Sequence, residues 1–527
     1  MTDPENARRA GYALVAGTLT ALAVGIRLPY LGTAVGLLAF AVAAGVAYGP
    51  AVRRVARRSR ALGAAPDLVC LVVLSLRLEP ALERASAFAA DQGTGRLADS
   101  LAVHAREARG RPAAGFGAFA DAWADHLPSL RRSAALAGAA VDADAGDRER
   151  LLDRALAVVV EGARERSSEY ADAVHGPTTG VYAFGVVLPL ALVGVVPAAA
   201  SAGLPVTVGA FALAYGVVLP LAVLAAATWI LARRPVAFPP AALSPDHPAL
   251  DGRRRSAATA GLAGLLAAVA ASRMLPPWGA PVLVAGFPLG CGLAYWYRPA
   301  CDVRADARDL EAGLADALSV LGHRLRQGQS VEAAVTDAGD ALDGPTGAAF
   351  AAAARRMRRL RVGVEAAFLG DHGPLARVPS ERGRAAVSLV VHAADAGANG
   401  GRVLVDVASL FDDLAALDRD VRREFAGLTR TLRHTALVYA PLVAGVTVAL
   451  SGRIGGIDGA TALPAGALAL AVGGYVLWLA VVLPALAVGL ERGLDRALVG
   501  YHAGVALAAA SVVFPVTAAA AGTVLQV

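Results

Sequence analysis

Lysine is absent from this chain of 527 residues: all 49 basic side chains are arginine. A P-loop uses lysine to reach the nucleotide phosphates, so a P-loop ATPase of the usual kind is excluded. Cysteine is scarce. Cys70, Cys291 and Cys301 have no ligand-like spacing, and two of them lie in or beside an apolar run, so neither a disulfide framework nor a zinc site is indicated. The nine histidines are scattered without a pair at metal spacing, and His323 and His392 read as helix-surface or core residues. An intramembrane aspartyl protease needs two carboxylates within its spans. Gly455-Gly456-Ile457-Asp458 resembles half of such a site, but Asp458 stands alone between apolar segments and reads as a turn. No catalytic, cofactor or metal constellation emerges, which argues against an enzyme, and no run of alternating polar and apolar residues argues for a sheet.

Apolar residues are plentiful, at 56% of the chain with a mean hydropathy of +0.53, more than a water-soluble globule carries. The pI near 9.5 invites a nucleic-acid reading, but the polar regions are not basic. Residues 61–176 hold 13 Arg against 17 acids, and residues 305–434 hold 17 against 18. The excess lies in the flanks of the apolar segments, where 19 Arg face 8 acids, so it reports membrane topology and not a nucleic-acid partner.

A helix crossing about 30 Å of hydrocarbon needs roughly 20 apolar residues. Nine stretches qualify: 10–26, 31–50, 178–200, 205–232, 257–272, 278–297, 436–451, 464–489 and 498–525. Arg8 and Arg9 before the first resemble a signal peptide, but no small-residue cleavage site leads into a secreted domain, and the run reads as a retained anchor. With the N-terminus in the cytoplasm, sixteen flanking arginines fall inside, among them Arg53, Arg54, Arg57, Arg58, Arg233 and Arg234; only Arg27, Arg273 and Arg453 fall outside. The C-terminus is then external. The expected organisation is all-α: residues 1–60 form two transmembrane helices with a basic flank, and 61–176 a cytoplasmic helical domain. Residues 177–234 form two more transmembrane helices, 235–256 a linker, and 257–298 a further transmembrane pair. Residues 299–435 make a second cytoplasmic helical domain, and 436–527 three final transmembrane helices.

The halves echo each other at an offset of about 249 residues. Arg27-Leu28-Pro29 is matched by Arg273-Met274-Leu275-Pro276, Tyr48-Gly49-Pro50 by Tyr297-Arg298-Pro299, and Asp67 to Arg84 by Asp316 to Ala333, with Arg77 on Arg326. At offset 251 the apolar series from Leu152 to Val174 aligns with Val403 to Phe425, so a tandem duplication is expected. Leu310, Leu314, Leu318, Leu321 and Leu325 recur at steps of three and four, one face of a helix. A longer stripe runs from Val403 through Val407, Leu410, Leu414, Leu417, Val421 and Phe425 to Leu432, an arm of about 45 Å before the membrane. Pro66-Asp67 and Pro379-Ser380-Glu381 predict helix starts, and Gly397 to Gly401 predicts a loop.

The densest charge feature is Arg355, Arg356, Arg358, Arg359 and Arg361 on an Ala-rich helix. Two readings stand: a solvated face pairing with local acids or lipid headgroups, or a docking surface for an acidic partner. Internal repeats also occur in transporters and permeases, which place ionisable or unwound segments at the midplane. These spans are almost free of charge. Pro189, Pro220, Pro288, Pro441 and Pro484 mark positions where a span could break or kink.

The order of spans and polar domains, together with two local segments, resembles a known family. Leu325-Arg326-Gln327-Gly328-Gln329-Ser330-Val331-Glu332-Ala333-Ala334 looks like an opening helix-turn-helix of Leu, a basic residue, Gly, a small polar residue and an Ala pair. Ala396 to Leu404, with Gly397, Gly400 and Gly401, looks like a Gly-x-x-Gly-x-Leu turn before a long helix. These are features of the type II secretion system F family, the TadC-, PilC- and FlaJ-like platform proteins of type IV pilus and archaellum assembly; the duplicated form is similar to the archaeal branch. The first half departs from both motifs, with Glu79-Pro80 in place of the Gly-Gln turn. The resemblance implies a non-enzymatic platform in the cytoplasmic membrane, without cofactors and expected as a homodimer. It would bind a hexameric secretion ATPase and pass that motor's movement to pilin-like or archaellin-like subunits. Gly328, Gly397, Gly400 and Gly401 would then be structural turns, and the five arginines from Arg355 to Arg361 the ATPase contact.

Overall fold

The computed structural model describes residues 61–524 except 94, 109–113, 202–206, 235–242, 245, 397 and 455–463. The expected spans at 10–26 and 31–50, the retained anchor, Gly397 and Asp458 lie outside the described residues. Those described form helices joined by turns and short connections and contain no strand.

The first polar region comprises α1 (Ala65–Leu78), α2 (Leu82–Gln92), α3 (Gly95–Glu107), α4 (Ala114–Trp123) and α5 (Pro128–Asp142). Helix α1 is mostly apolar, and its Val72, Val73 and Leu74 are wholly buried where it packs against α2 and the long helix α6 (Ala145–Tyr182). Asp144 caps α6 by accepting from the Asp147 amide at 3.0 Å. The chain then continues through a π turn (Ala183–Val187) into α7 (Leu188–Ser201). Helix α8 (Val208–Leu213) passes through a second π turn (Ala214–Val218) into α9 (Leu219–Ala232).

The second half begins with α10 (Arg253–Ser272) and α11 (Gly279–Ala312). Its polar region holds α12 (Leu314–Arg326), α13 (Val331–Ala341), α14 (Gly344–Leu360), α15 (Val364–Leu369) and α16 (Glu381–Ala396). Helix α17 (Ala398–His434) runs through a π turn (Thr435–Tyr439) into α18 (Ala440–Ile454), followed by α19 (Ala465–Arg492) and α20 (Arg496–Val524). The predicted stripe on α12 is buried at Leu314, Leu318, Leu321 and Leu325, and that on α17 at Val407, Leu410, Leu414, Leu417, Val421, Phe425 and Leu432.

Helix α17 already includes residues 398–401, so Gly400 and Gly401 lie in its first turn and not in the expected loop. Close approach accounts for a glycine here. A Cβ on Gly401 would sit 2.7 Å from the Gly322 carbonyl oxygen of α12, and one on Gly322 would sit 2.6 Å from that of Gly401. Gly328, just past α12, does adopt the left-handed conformation, at φ +82°.

Among the described residues seven helices are long and apolar enough to cross a membrane, and they carry the expected spans from 178–200 to 498–525. The chain is therefore an all-helical, multi-pass membrane protein. The expected domain limits at 176, 298 and 435 fall within or between continuous helices, so the polar regions are direct extensions of the spans. Helices α10, α11, α18, α19 and α20 pack together, with an extensive contact between α11 and α20. There Gly290 meets the Ala508 amide and the Gly504 carbonyl so tightly that no side chain fits, the small-residue packing usual within bilayers.

Three prolines follow π turns at the same spacing: Pro189, Pro220 and Pro441 each come two residues after one ends. Proline has no N–H to return to the carbonyl four residues back, and the widened turn absorbs the misfit without breaking the helix. Pro288 and Pro484 lie inside uninterrupted α-helix.

Candidate functional site

Two rods connect the polar regions to the membrane bundle. The first joins helices of 38, 5 and 14 residues end to end, and the second joins helices of 37, 5 and 15. Each is about 80 Å long at about 1.5 Å per residue. They pack side by side: the Tyr170 and Phe425 ring centroids lie 5.9 Å apart, and Arg164 pairs with Asp420 at 2.9 Å. Arg77 on α1 reaches both rods, bonding Asp153 of α6 and, at 3.1 Å, Asp406 of α17. Its side chain is 8% exposed, so this cation is a buried tie and not a surface pair.

Where the polar regions meet the membrane bundle, a set of ion pairs forms an ionic collar between helix ends. Arg304 of α11 pairs with Asp495, in the connection between α19 and α20, at 2.6 Å. Arg433 of α17 pairs with Glu491 of α19 at 2.5 Å, and Arg492 bonds the same carboxylate at 3.3 Å. Arg234, just past α9, donates to the Gly489 carbonyl, and burial pulls its guanidinium down to about 10. The collar thus joins α9, α11, α17 and α19.

Between this collar and the two polar regions lies a cavity of about 760 Å³. On its far wall Arg382 of α16 pairs with Asp67 of α1 at 2.9 Å. Ser380 caps α16, accepting from the Gly383 amide at 2.8 Å, and donates to Glu311 at 2.6 Å. Burial raises the Glu311 carboxyl above its ordinary range, against the pull of Arg382 and Ser380. Burial would lower Arg382, but Asp67 overrides it and the guanidinium is raised. Cys70, wholly buried beside this wall, is pushed up to about 12 and is inert as a thiolate nucleophile.

The arginine cluster sits on the last turn of α14. Arg355, Arg358 and Arg359 are exposed on one face, while Phe350, Ala353, Ala354 and Met357 are buried on the other. Arg356 is half-buried, and Arg361 ends the helix in the left-handed conformation at φ +53°. Leu360, in their midst, is 57% exposed. Among the described residues none of the five forms an ion pair; Arg358 donates to the Thr336 hydroxyl at 3.3 Å.

The cluster and the glycines lie on different elements. Gly328 lies at the α12 turn, and Gly400 and Gly401 at the α12–α17 contact. His323 is exposed on α12, and no group of three metal-ligating side chains occurs among the described residues. The collar itself was not foreseen, although a signal existed: Glu491 and Asp495 are acids beside apolar spans in a chain that places few there. No family model, curated protein or solved structure matches the chain.

Proposed function

We propose that the chain is the platform protein of a type IV pilus, archaellum or type II secretion-like assembly machine. In this role it couples a hexameric cytoplasmic ATPase to the assembly of pilin-like subunits and catalyses no reaction itself. The observation that carries the reading is the pair of rods, each continuous from a polar helical region into the bilayer. A displacement at the polar end of such a rod moves a membrane helix, because no flexible loop intervenes. The unpaired arginines of α14 around exposed Leu360 supply the mixed charged and apolar contact that an acidic motor surface would use.

The same reading takes the protein as a tandem duplication with nine spans, acting as a homodimer. The matching rods, each with a π turn and a proline two residues later, support the duplication. On this reading the N-terminus and both polar regions are cytoplasmic and the C-terminus is outside, supported by sixteen flanking arginines against three. In a variant without its own cysteines, Arg453→Cys is then labelled by an impermeant maleimide added to intact cells, and Glu149→Cys only after lysis. The opposite pattern overturns the orientation. Deleting the gene should abolish surface filaments while pilin-like subunits accumulate in the membrane; normal filaments in the deletion strain would refute the platform role.

A further inference from the structure

The charged lining of the cavity between the collar and the polar regions comprises Arg96, Arg304, Arg308, Arg382, Arg422 and Arg492 against Asp67, Glu311, Glu381, Asp418 and Asp495. Within it Arg308, Arg422 and Arg492 form a basic stretch of wall, close enough to influence one another. Arg422 has Asp418 within bonding reach, and Arg492 shares Glu491 with Arg433. Among the described residues Arg308 has no carboxylate within 4 Å, and its Nε donates to the Arg304 carbonyl at 3.0 Å. Burial, then the charges of Arg492 and Arg422, holds the Arg308 guanidinium below its ordinary value. Three guanidinium groups repel one another here, and the Nε of Arg422 is buried without an acceptor.

Such an arrangement is costly while the cavity is empty of anions and favourable when one fills it. The ligand must be multiply oxygenated and anionic to serve several planar donors together, which phosphate does better than carboxylate. A volume of about 760 Å³ is in the range that accepts a small organic ligand. We infer that the wall formed by Arg308, Arg422 and Arg492 binds a phosphate group, carried either by an anionic phospholipid headgroup or by a soluble phosphate compound. Arg492 closes α19 at the polar-domain face of the bundle, so a headgroup can arrive from the bilayer and a soluble phosphate from the aqueous side. An occupant there bridges α11, α17 and α19, and so stiffens the junction through which the second rod enters the membrane.

The test uses the full-length protein in nanodiscs, with thermal unfolding as the readout. Wild type is compared in phosphatidylcholine alone, in phosphatidylcholine with phosphatidylglycerol, and in phosphatidylcholine titrated with inorganic phosphate or pyrophosphate. Stabilisation by phosphatidylglycerol identifies the lipid source, and saturable stabilisation by the soluble anions identifies the other. In either case Arg308→Gln should weaken the apparent affinity at least tenfold, while Arg308→Lys retains part of it. Arg254→Gln, an exposed flanking arginine on α10, should behave as wild type. If Arg308→Gln does not fold, Arg492→Gln carries the same expectation. The proposal is overturned if neither anion stabilises wild type, or if the effect survives loss of the cavity arginine or falls equally in Arg254→Gln.

Discussion

Arg77 holds Asp406 at 3.1 Å across the boundary between the two halves of the chain, while bonding Asp153 of its own half. One buried cation thereby ties the two rods together near their polar ends. Charge-assisted hydrogen bonds contribute about 1.5–3 kcal/mol, and the half-exposed Asp153 supplies the smaller part. Arg77→Gln should therefore destabilise the detergent-solubilised protein by about that amount in denaturant or thermal unfolding. Asp406→Asn should cost less, because Asp153 still holds the guanidinium. Wild-type stability in Arg77→Gln would remove the tie from the account.

Tyr475 of α19 is fully buried and donates its hydroxyl to the Gly185 carbonyl inside the first rod's π turn. Pro189 cannot return a hydrogen bond to that oxygen, so the tyrosine satisfies an acceptor that the proline left open. Tyr475→Phe keeps the packing against Tyr215 and removes only the donor. A loss of about 1–3 kcal/mol in unfolding free energy is expected, the usual cost of an orphaned buried acceptor. No loss would mean that the turn satisfies its own carbonyls.

Glu311 provides a pH test. Its folded carboxyl is raised by burial, so between the ordinary carboxylate range and the raised value the folded state binds more protons than the unfolded state. Stability contributed by this group is greatest in acid and falls as pH rises through that window. Glu311→Gln should melt higher than wild type at pH 7.5, with the difference closing toward pH 4. A difference that widens in acid would contradict the assignment.

The apolar spans and rods were legible because helix periodicity and hydrophobic length are local properties. The Leu310–Leu325 and Val403–Leu432 stripes could be read without knowing their partners. Glycine was harder. The run through Gly400 and Gly401 looks like a loop by composition, whereas its use is the contact with Gly322, 79 positions away from Gly401. The partners within the collar and the Arg77 tie were illegible for the same reason, although the acids Glu491 and Asp495 beside apolar spans were visible. Asp67 meets Arg382 across 315 positions, and nothing in either neighbourhood names the other. Prolines were visible, but the π turns that accommodate them depend on acceptors such as the Gly185 carbonyl finding a donor on another helix.

The central claim, that this protein receives a motor at its second polar region, is tested most directly by binding. The purified protein in nanodiscs is titrated with the hexameric secretion ATPase from the same organism, using wild type and the variant Arg355→Glu/Arg358→Glu/Arg359→Glu. Those three arginines share one exposed face of α14 and would meet a partner together. The account predicts saturable binding by wild type, and in the triple variant a loss larger than that produced by raising salt alone, with folding and membrane insertion unchanged. Equal binding by both proteins would return the cluster to a solvated surface, and no binding by wild type would contradict the account itself.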